Sequence, residues 1–286
     1  MAIKLLKKEI EIIKDILYRN TGIQVDISKK TMIENRLNRL IDKKKLDKTN
    51  IKQILKEIET KYLQDFINVF TTNKTNFFRE KKQFDYLYEN ILINMFNKGS
   101  TVNIYCAASS TGEEPWSLSA TCYLASKKSK FKYSNYSIFA TDIDTEILEK
   151  AKKGVYECLD YNKQLFPLWL NPNSMFVENI QKCKNKDKQN DTLTINQELR
   201  KKVKFKQLNL MDKKYDIIKN NFYNIIFCRN VLIYFSKEDQ KEILIKLTKK
   251  LKLNGFLFLG HSEHLNGLEE HYKRKGNNIY QKIKEM

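Results

Sequence analysis

Apolar positions recur at three- and four-residue intervals through the first part of the chain. Ile10, Ile13, Ile16 and Leu17 form one such stripe, and Met32, Ile33, Leu37, Leu40 and Ile41 form a second. Gly22 separates the two, and Ser28 stands where a cap of the second helix is expected. A further predicted helix starts near Thr49 or Asn50 and runs on through "IKQILKEIETKYLQDFINVF". Residues 1–70 therefore read as a small all-helical domain.

From residue 100 the rhythm changes to short apolar runs alternating with helical stretches. "VNIYCAA" (102–108), "YSIFATDID" (136–144), "VKFKQLNL" (203–210), "YNIIFCRNVLIYF" (223–235) and "GFLFLGHS" (255–262) read as strands. Helices are expected from about Pro115, over "TEILEKAKKG" up to Gly154, and over "SKEDQKEILIKLTKKLK" with Ser236 as its cap. Apolar strands alternating with helices indicate parallel β-α-β units covered on both faces. The fold class is α/β: a mostly parallel, doubly wound sheet over 91–286, with "NNIYQKI" as an antiparallel edge strand. Residues 158–202 break the pattern with the polar stretch "KCKNKDKQND" and read as an inserted β subdomain. Residues 71–90 link the helical domain to the α/β part.

Composition narrows the function classes. The chain has 286 residues, is 41% hydrophobic, and carries a net charge of +19. No signal peptide is read at its start, and no apolar run approaches the ~20 residues of a membrane helix. The cysteines, Cys106, Cys122, Cys158, Cys183 and Cys228, lie far apart without a C-x-x-C pair. That spacing argues against a zinc site or a disulfide framework and suits a reducing cytoplasm. The charge raises the question of nucleic acid. Yet only seven of the 53 basic residues are arginine, and the lysines are scattered along the chain, as in a lysine-rich composition. A chain that defaults to lysine marks its arginines, Arg79 and Arg229 among them, as places where the planar fork is needed.

The candidate chemistry lies where the predicted strands end. Ligands of an open parallel sheet bind beyond the carboxyl ends of its strands. Strand 102–108 runs into Ser109-Ser110-Thr111-Gly112-Glu113-Glu114, strand 136–144 carries Asp142 and Asp144, and the next ends in Arg229-Asn230. A phosphate-binding loop would carry several glycines and a lysine; this one has a single glycine and two acids. An acid at the end of the second strand suits ribose hydroxyls. A helix cap is the ordinary alternative for Asp142, although Asp144 or Thr145 is better placed for that. A nucleoside cofactor with positive charge and no phosphate fits the loop, and S-adenosylmethionine is such a molecule. The alternative for Glu113 and Glu114 is that they complement the helix dipole.

A third stretch, "TTNKTNFFRE" (71–80), sets two adjacent phenylalanines beside an arginine just before the α/β part. Together with "AASSTGEEPWS", "ATDIDTEILEKAKKGVY", "FCRNVLIYF" and "GHSEHL", it resembles the motif series of the CheR family, the chemotaxis receptor glutamate O-methyltransferases. The motifs match in order and approximate spacing over nearly the whole chain. The resemblance implies a Rossmann-like, S-adenosylmethionine-dependent methyltransferase domain with a helical N-terminal domain and an inserted subdomain. It implies methyl transfer to glutamate side chains of membrane chemoreceptors, with S-adenosylhomocysteine as product. Cofactor contacts then fall on Asn73, Thr75, Arg79, Glu114, Asp142, Asn209, Leu210, Arg229 and Asn230. Arg79 and Tyr234 are the implied catalytic pair, and no metal is implied. The nucleophile is a carboxylate, ionised at neutral pH with an ordinary pKa of about 4.3, so no general base is needed. Arg79 would hold the carboxylate's second oxygen, and Tyr234 would orient donor or acceptor.

Some family members bind a receptor's C-terminal peptide on the insertion through a glycine-containing turn; residues 158–202 contain no glycine. The basic helix carrying Arg36 and Arg39 is the expected contact with the receptor's cytoplasmic helical bundle, its ordinary alternative being a solvated face. The expected protein is a cytoplasmic monomer that enters no membrane and binds no nucleic acid. Trp116 is either a stacking partner for the cofactor or core. His261 and His264 form an H-x-x-H that a metal reading would use. The competing functions are a nucleic-acid methyltransferase, which lacks its acid- or amide-Pro-Pro-aromatic loop here, and a non-catalytic S-adenosylmethionine sensor.

Overall fold

The computed structural model describes residues 3–131, 135–157, 167, 169, 170, 177–181 (backbone only) and 192–286. Helices α1 (Lys7–Thr21), α2 (Lys30–Lys44), α3 (Ile51–Thr60) and α4 (Leu63–Phe70) pack their apolar stripes into one core. Gly22 ends α1 with φ 71°, a conformation that suits glycine best. Asn50 caps α3 by accepting the Gln53 N–H. Ser28 does not cap α2: its N–H donates to Asp26, which opens a short 3-10 turn, and Lys29 precedes the helix. A carboxylate two residues upstream competes successfully for that turn. The apolar stretch after Asn50 is two helices, interrupted at Lys61 and Tyr62.

Helix α5 (Lys81–Tyr86) continues through a π-helical turn, Leu87–Leu92, into α6 (Ile93–Phe96). The sheet follows: β1 (Val102–Ala107), α7 (Glu113–Lys128), β2 (Tyr136–Asp142), α8 (Thr145–Lys153), then β3 (Val155–Glu157), β4 (Val177–Gln181), β5 (Thr192–Ile195) and α9 (Gln197–Arg200). It ends with β6 (Val203–Gln207), β7 (Tyr223–Cys228), α10 (Lys237–Lys250), β8 (Leu251–Leu259), β9 (Tyr272–Gly276) and β10 (Ile279–Lys282). The strand order is β6-β2-β1-β7-β8-β10-β9, parallel through β8. Strands β3, β5 and β4 form a separate antiparallel sheet that begins at Val155. The lysine- and asparagine-rich centre of 158–202 lies outside the described residues.

Several strands are shorter than their apolar runs suggest. β7 stops at Cys228, and "LIY" is a 3-10 turn, Leu232–Tyr234. The last strand is also not the edge: β10 pairs with both β8 and β9, so Tyr272–Gly276 is outermost. Asn277 and Asn278, at φ 50° and 55°, make the two-residue turn between them, as primed hairpin turns require. Helices α5 to α7 cover one face of the sheet and α10 the other, each over its own apolar cluster. Among the described residues no helix is long and apolar enough to cross a membrane.

The chain begins the sheet at its centre, moves out to β2 and β6, then returns to β7 on the other side of β1. The switch point therefore lies at the carboxyl ends of β1 and β7, where an α/β fold places a ligand. The helical domain closes over that end. Gln64 donates to the Ile143 carbonyl at 3.1 Å, Asn68 to Thr145 at 3.0 Å, and Asn209 to the Asn20 carbonyl at 2.7 Å.

Candidate functional site

The loop after β1 is bent into place by backbone that few side chains adopt. Ala108, Ser110 and Gly112 have φ of 54°, 50° and 98°. A Cβ on Gly112 would lie 2.9 Å from the Ala151 methyl and from the Tyr156 hydroxyl, so its glycine serves close packing against α8 and β3. Asp142 holds the loop from the next strand. Its two oxygens accept the Ser110 N–H at 2.8 Å and the Asp144 N–H at 3.0 Å. Burial pushes its carboxyl up to about 6 against these bonds. Asp144, not Asp142, caps α8 through the Glu146 and Ile147 N–H groups. The other Asp144 oxygen accepts from Thr71 at 2.7 Å and Asn73 at 2.9 Å. This pins residues 71–73 over the pocket.

The phenylalanine pair before Arg79 is an anchor. Phe77 and Phe78 are both buried, Phe78 meets Phe84 edge-on at 5.3 Å, and its N–H donates to Ser117 at 2.9 Å. Phe78 and Glu80 have φ of 50° and 60°, strain of about 1–3 kcal/mol each that the packing must offset. Arg79 between them turns outward and donates to the Lys74 carbonyl at 3.0 Å.

Arg229, at the end of β7, is the buried centre of the site. It donates to Glu114 at 2.6 Å and to the Arg79 carbonyl at 2.6 Å, and lies 3.1 Å from Glu80. Its side chain is fully enclosed. Burial raises the Glu114 carboxyl, and Arg229 opposes that only in part. Burial also raises Glu80, but Arg229 and the Asn230 amide outweigh it, leaving Glu80 below the usual range. The turn after Arg229 is held by Glu263, which accepts the N–H groups of Asn230, Val231, Leu232 and Gly260 at 2.6–2.9 Å. A Cβ on Gly260 would stand 2.6 Å from the Asn230 amide. Glu263 is thus a backbone cradle. His261 and His264 beside it are exposed, and no metal-holding cluster exists among the described residues.

These elements enclose one cavity of about 950 Å³, its open mouth included. Asn73, Thr75, Arg79, Glu114, Asp142, Asn209, Leu210, Arg229, Asn230 and Tyr234 all line it. The Asn209 side chain is spent on the Asn20 carbonyl and the Met211 N–H, and Leu210 is buried. Trp116 is core: it meets Phe205 at 5.2 Å and does not reach the cavity. Arg36 and Arg39 lie elsewhere. Arg36 donates to the Phe70 carbonyl and to Thr72, so it braces the entry to the 71–80 segment, whereas Arg39 is exposed on α2.

Sequence reasoning missed Glu80 and Glu263 as members of this frame, and it read Asp144 as a helix cap without its second tie to Thr71 and Asn73. Glu80 and Glu263 stood inside the quoted motifs, but the neighbouring arginine and histidines drew the chemical reading. Their partners are some 30 to 150 residues away along the chain, and local patterning carries no trace of them.

The residues present suit S-adenosylmethionine. Asp142 offers a carboxylate for ribose hydroxyls. Glu114 stands on the cavity wall as a carboxylate that could meet a cationic amino-acid end. Two buried donors on the cavity wall, Ser109 Oγ and Arg229 Nε, have no hydrogen-bond partner among the described residues; a carboxylate would satisfy them.

Comparison with known proteins agrees. Residues 73–280 match the family model described as CheR methyltransferase, SAM binding domain. A chemotaxis protein methyltransferase of Salmonella typhimurium is 34% identical over 93% of this chain and 86% of its own. Those of Escherichia coli (34%, 94% and 88%) and Borreliella burgdorferi (32%, 93% and 92%) are similar. None of these matches favours the nucleic-acid or sensor readings. The chain belongs to the CheR family of chemotaxis methyltransferases, and S-adenosylmethionine is its cofactor.

Proposed function

We propose that the protein methylates glutamate side chains on the cytoplasmic helical bundle of chemotaxis receptors, as a cytoplasmic monomer, giving methyl esters. One observation carries this reading. The cavity is lined by Arg79 and Tyr234 but by no histidine, and its two carboxylates are already committed, Asp142 to backbone N–H groups and Glu114 to Arg229. Among the described residues, neither lining carboxylate is left free to remove a proton. Such a site suits an acceptor that arrives ionised, which a glutamate does at neutral pH.

The bound cofactor supplies an electrophilic methyl group on a sulfonium. The protein's part is alignment. The Arg79 guanidinium takes one oxygen of the acceptor carboxylate and turns the other toward the methyl. The Tyr234 hydroxyl orients the donor or the acceptor. With the methyl's bonding electrons staying with sulfur, an ionised acceptor would need no proton removed by the protein. Charge cancels as product forms, so a cavity closed by α1 and residues 71–75 favours the step. Arg39 on α2 is the proposed receptor contact, with Arg36 beside it.

The test uses cofactor with a labelled methyl group, offered with receptor-containing membranes and, separately, with DNA and RNA. Label on a receptor-sized protein, released by alkali as methanol, supports the carboxyl ester. Alkali-stable label, or label on nucleic acid, overturns it.

A further inference from the structure

The cations that line the cavity are not alike. Arg229 is engaged: it pairs with Glu114 at 2.6 Å and lies 3.1 Å from Glu80. Asp142, the other lining carboxylate, accepts the Ser110 and Asp144 N–H groups. Lys74 and Arg79 also line the cavity, and neither has a carboxylate within ion-pairing distance among the described residues. The lining charges without a partner are therefore both positive, and both lie on the 71–80 segment.

Lys74 is held in place by its neighbours. Its carbonyl accepts from Arg79 Nη1 at 3.0 Å, and the Asn73 carbonyl before it accepts the Ser110 hydroxyl at 3.2 Å. The backbone is fixed there, while the Lys74 residue is exposed as well as lining the cavity, which puts it at the mouth. An ammonium and a guanidinium are thus rooted side by side where the acceptor enters. An acceptor that brings one carboxylate neutralises only one of them. Acids on neighbouring turns of a helix have Cβ atoms about 5–6 Å apart, a spacing that a lysine rooted beside the guanidinium can match.

We propose that Lys74 binds a second carboxylate of the acceptor, one helical turn from the glutamate that Arg79 holds, and so makes the protein choose glutamates with an acidic neighbour. The inference rests on the reading of the acceptor as a glutamate on a receptor helix. Lys74 takes no part in the chemical step and does not hold the cofactor; it is a specificity-determining residue that acts on acceptor binding. A compact charge on a flexible four-carbon stem suits that task, because it can follow an acid on either side, whereas the planar fork of Arg79 keeps one geometry.

The experiment compares the full chain with Lys74→Gln and Lys74→Arg on receptor-containing membranes. Mass spectrometry locates the esterified glutamates, and receptor variants then carry amides in place of the acids one turn away. Lys74→Gln should raise the receptor KM about threefold or more, with kcat and S-adenosylhomocysteine affinity unchanged. Lys74→Arg should restore most of the loss, and added salt should shrink it. On the amide receptor the parent and Lys74→Gln should have the same KM, a non-additivity that a structural brace does not produce. Esterified glutamates with no acid one turn away overturn the inference. An unchanged KM in Lys74→Gln does so too, as does a rise that persists on the amide receptor. A parallel fall in S-adenosylhomocysteine affinity means that Lys74 holds the cofactor instead, and also overturns it. If the parent forms no alkali-labile ester on the receptor, the reading of the acceptor falls and this inference with it; ester formation without a Lys74 effect sinks this inference alone.

Discussion

Arg229 and Glu114 meet at 2.6 Å from opposite sides of the switch point, one at the end of β7 and the other in the first turn of α7. The pair ties the two strands' loops into one wall, and the Arg79 carbonyl on the same guanidinium ties the linker segment to both. Removing the cation should therefore harm the frame before it harms the chemistry. Arg229→Met leaves Glu80 and Glu114 buried without their partner, a loss of about 3–5 kcal/mol. Urea unfolding should show a lower midpoint with an unchanged slope.

Asp142 should make cofactor binding depend on pH. Its carboxyl is raised from 3.8 to about 6 in the fold. Between those values the folded chain holds a proton that the unfolded chain has released, so this group subtracts stability as pH rises across the window. The ribose hydroxyls favour the ionised form, so affinity for S-adenosylhomocysteine should climb as pH rises through about 6. Titration at pH 5 and pH 7.5 should show the difference, and Asp142→Asn should abolish it while weakening binding about tenfold or more.

Tyr234 and Arg79 should separate turnover from binding. Tyr234→Phe removes one hydroxyl at the cavity rim and should cut kcat about tenfold or more, with S-adenosylhomocysteine affinity within about threefold of the parent. Arg79→Lys keeps the charge but loses the fork and should fail to restore the rate. Steady-state kinetics with isothermal titration distinguishes these outcomes.

Asp144 caps α8 and also holds Thr71 and Asn73. Asp144→Ala should cost about 1–2 kcal/mol from the cap alone. It should also open the 71–75 segment to limited proteolysis, while Asp144→Asn, which can still accept hydrogen bonds, should be milder.

The two arginines of α2 should behave differently under charge reversal. Arg36→Glu breaks the bonds to the Phe70 carbonyl and Thr72 and should lower thermal stability as well as activity. Arg39→Glu changes an exposed charge and should leave stability within about 0.5 kcal/mol. If Arg39 contacts the receptor, its reversal should slow receptor methylation alone.

The sequence by itself determined the helical stripes of α1 and α2, the apolar strands β1, β2 and β7, the start of α3 to within Thr49 or Asn50, and the cap at Ser236, because each depends on residues a few positions apart. It also placed the acids and the arginine at the strand ends, where a parallel sheet exposes its ligands. Only the tertiary structure decided that Asp144 also holds Thr71 and Asn73, that Arg36 is a brace, and that the last strand is flanked on both sides. It alone showed that Glu80 and Glu263 hold the turn after β7. Those facts depend on which distant segments the sheet order brings together. An ion pair such as Arg229–Glu114 is invisible to periodicity because its partners are neighbours only once β1 and β7 lie side by side.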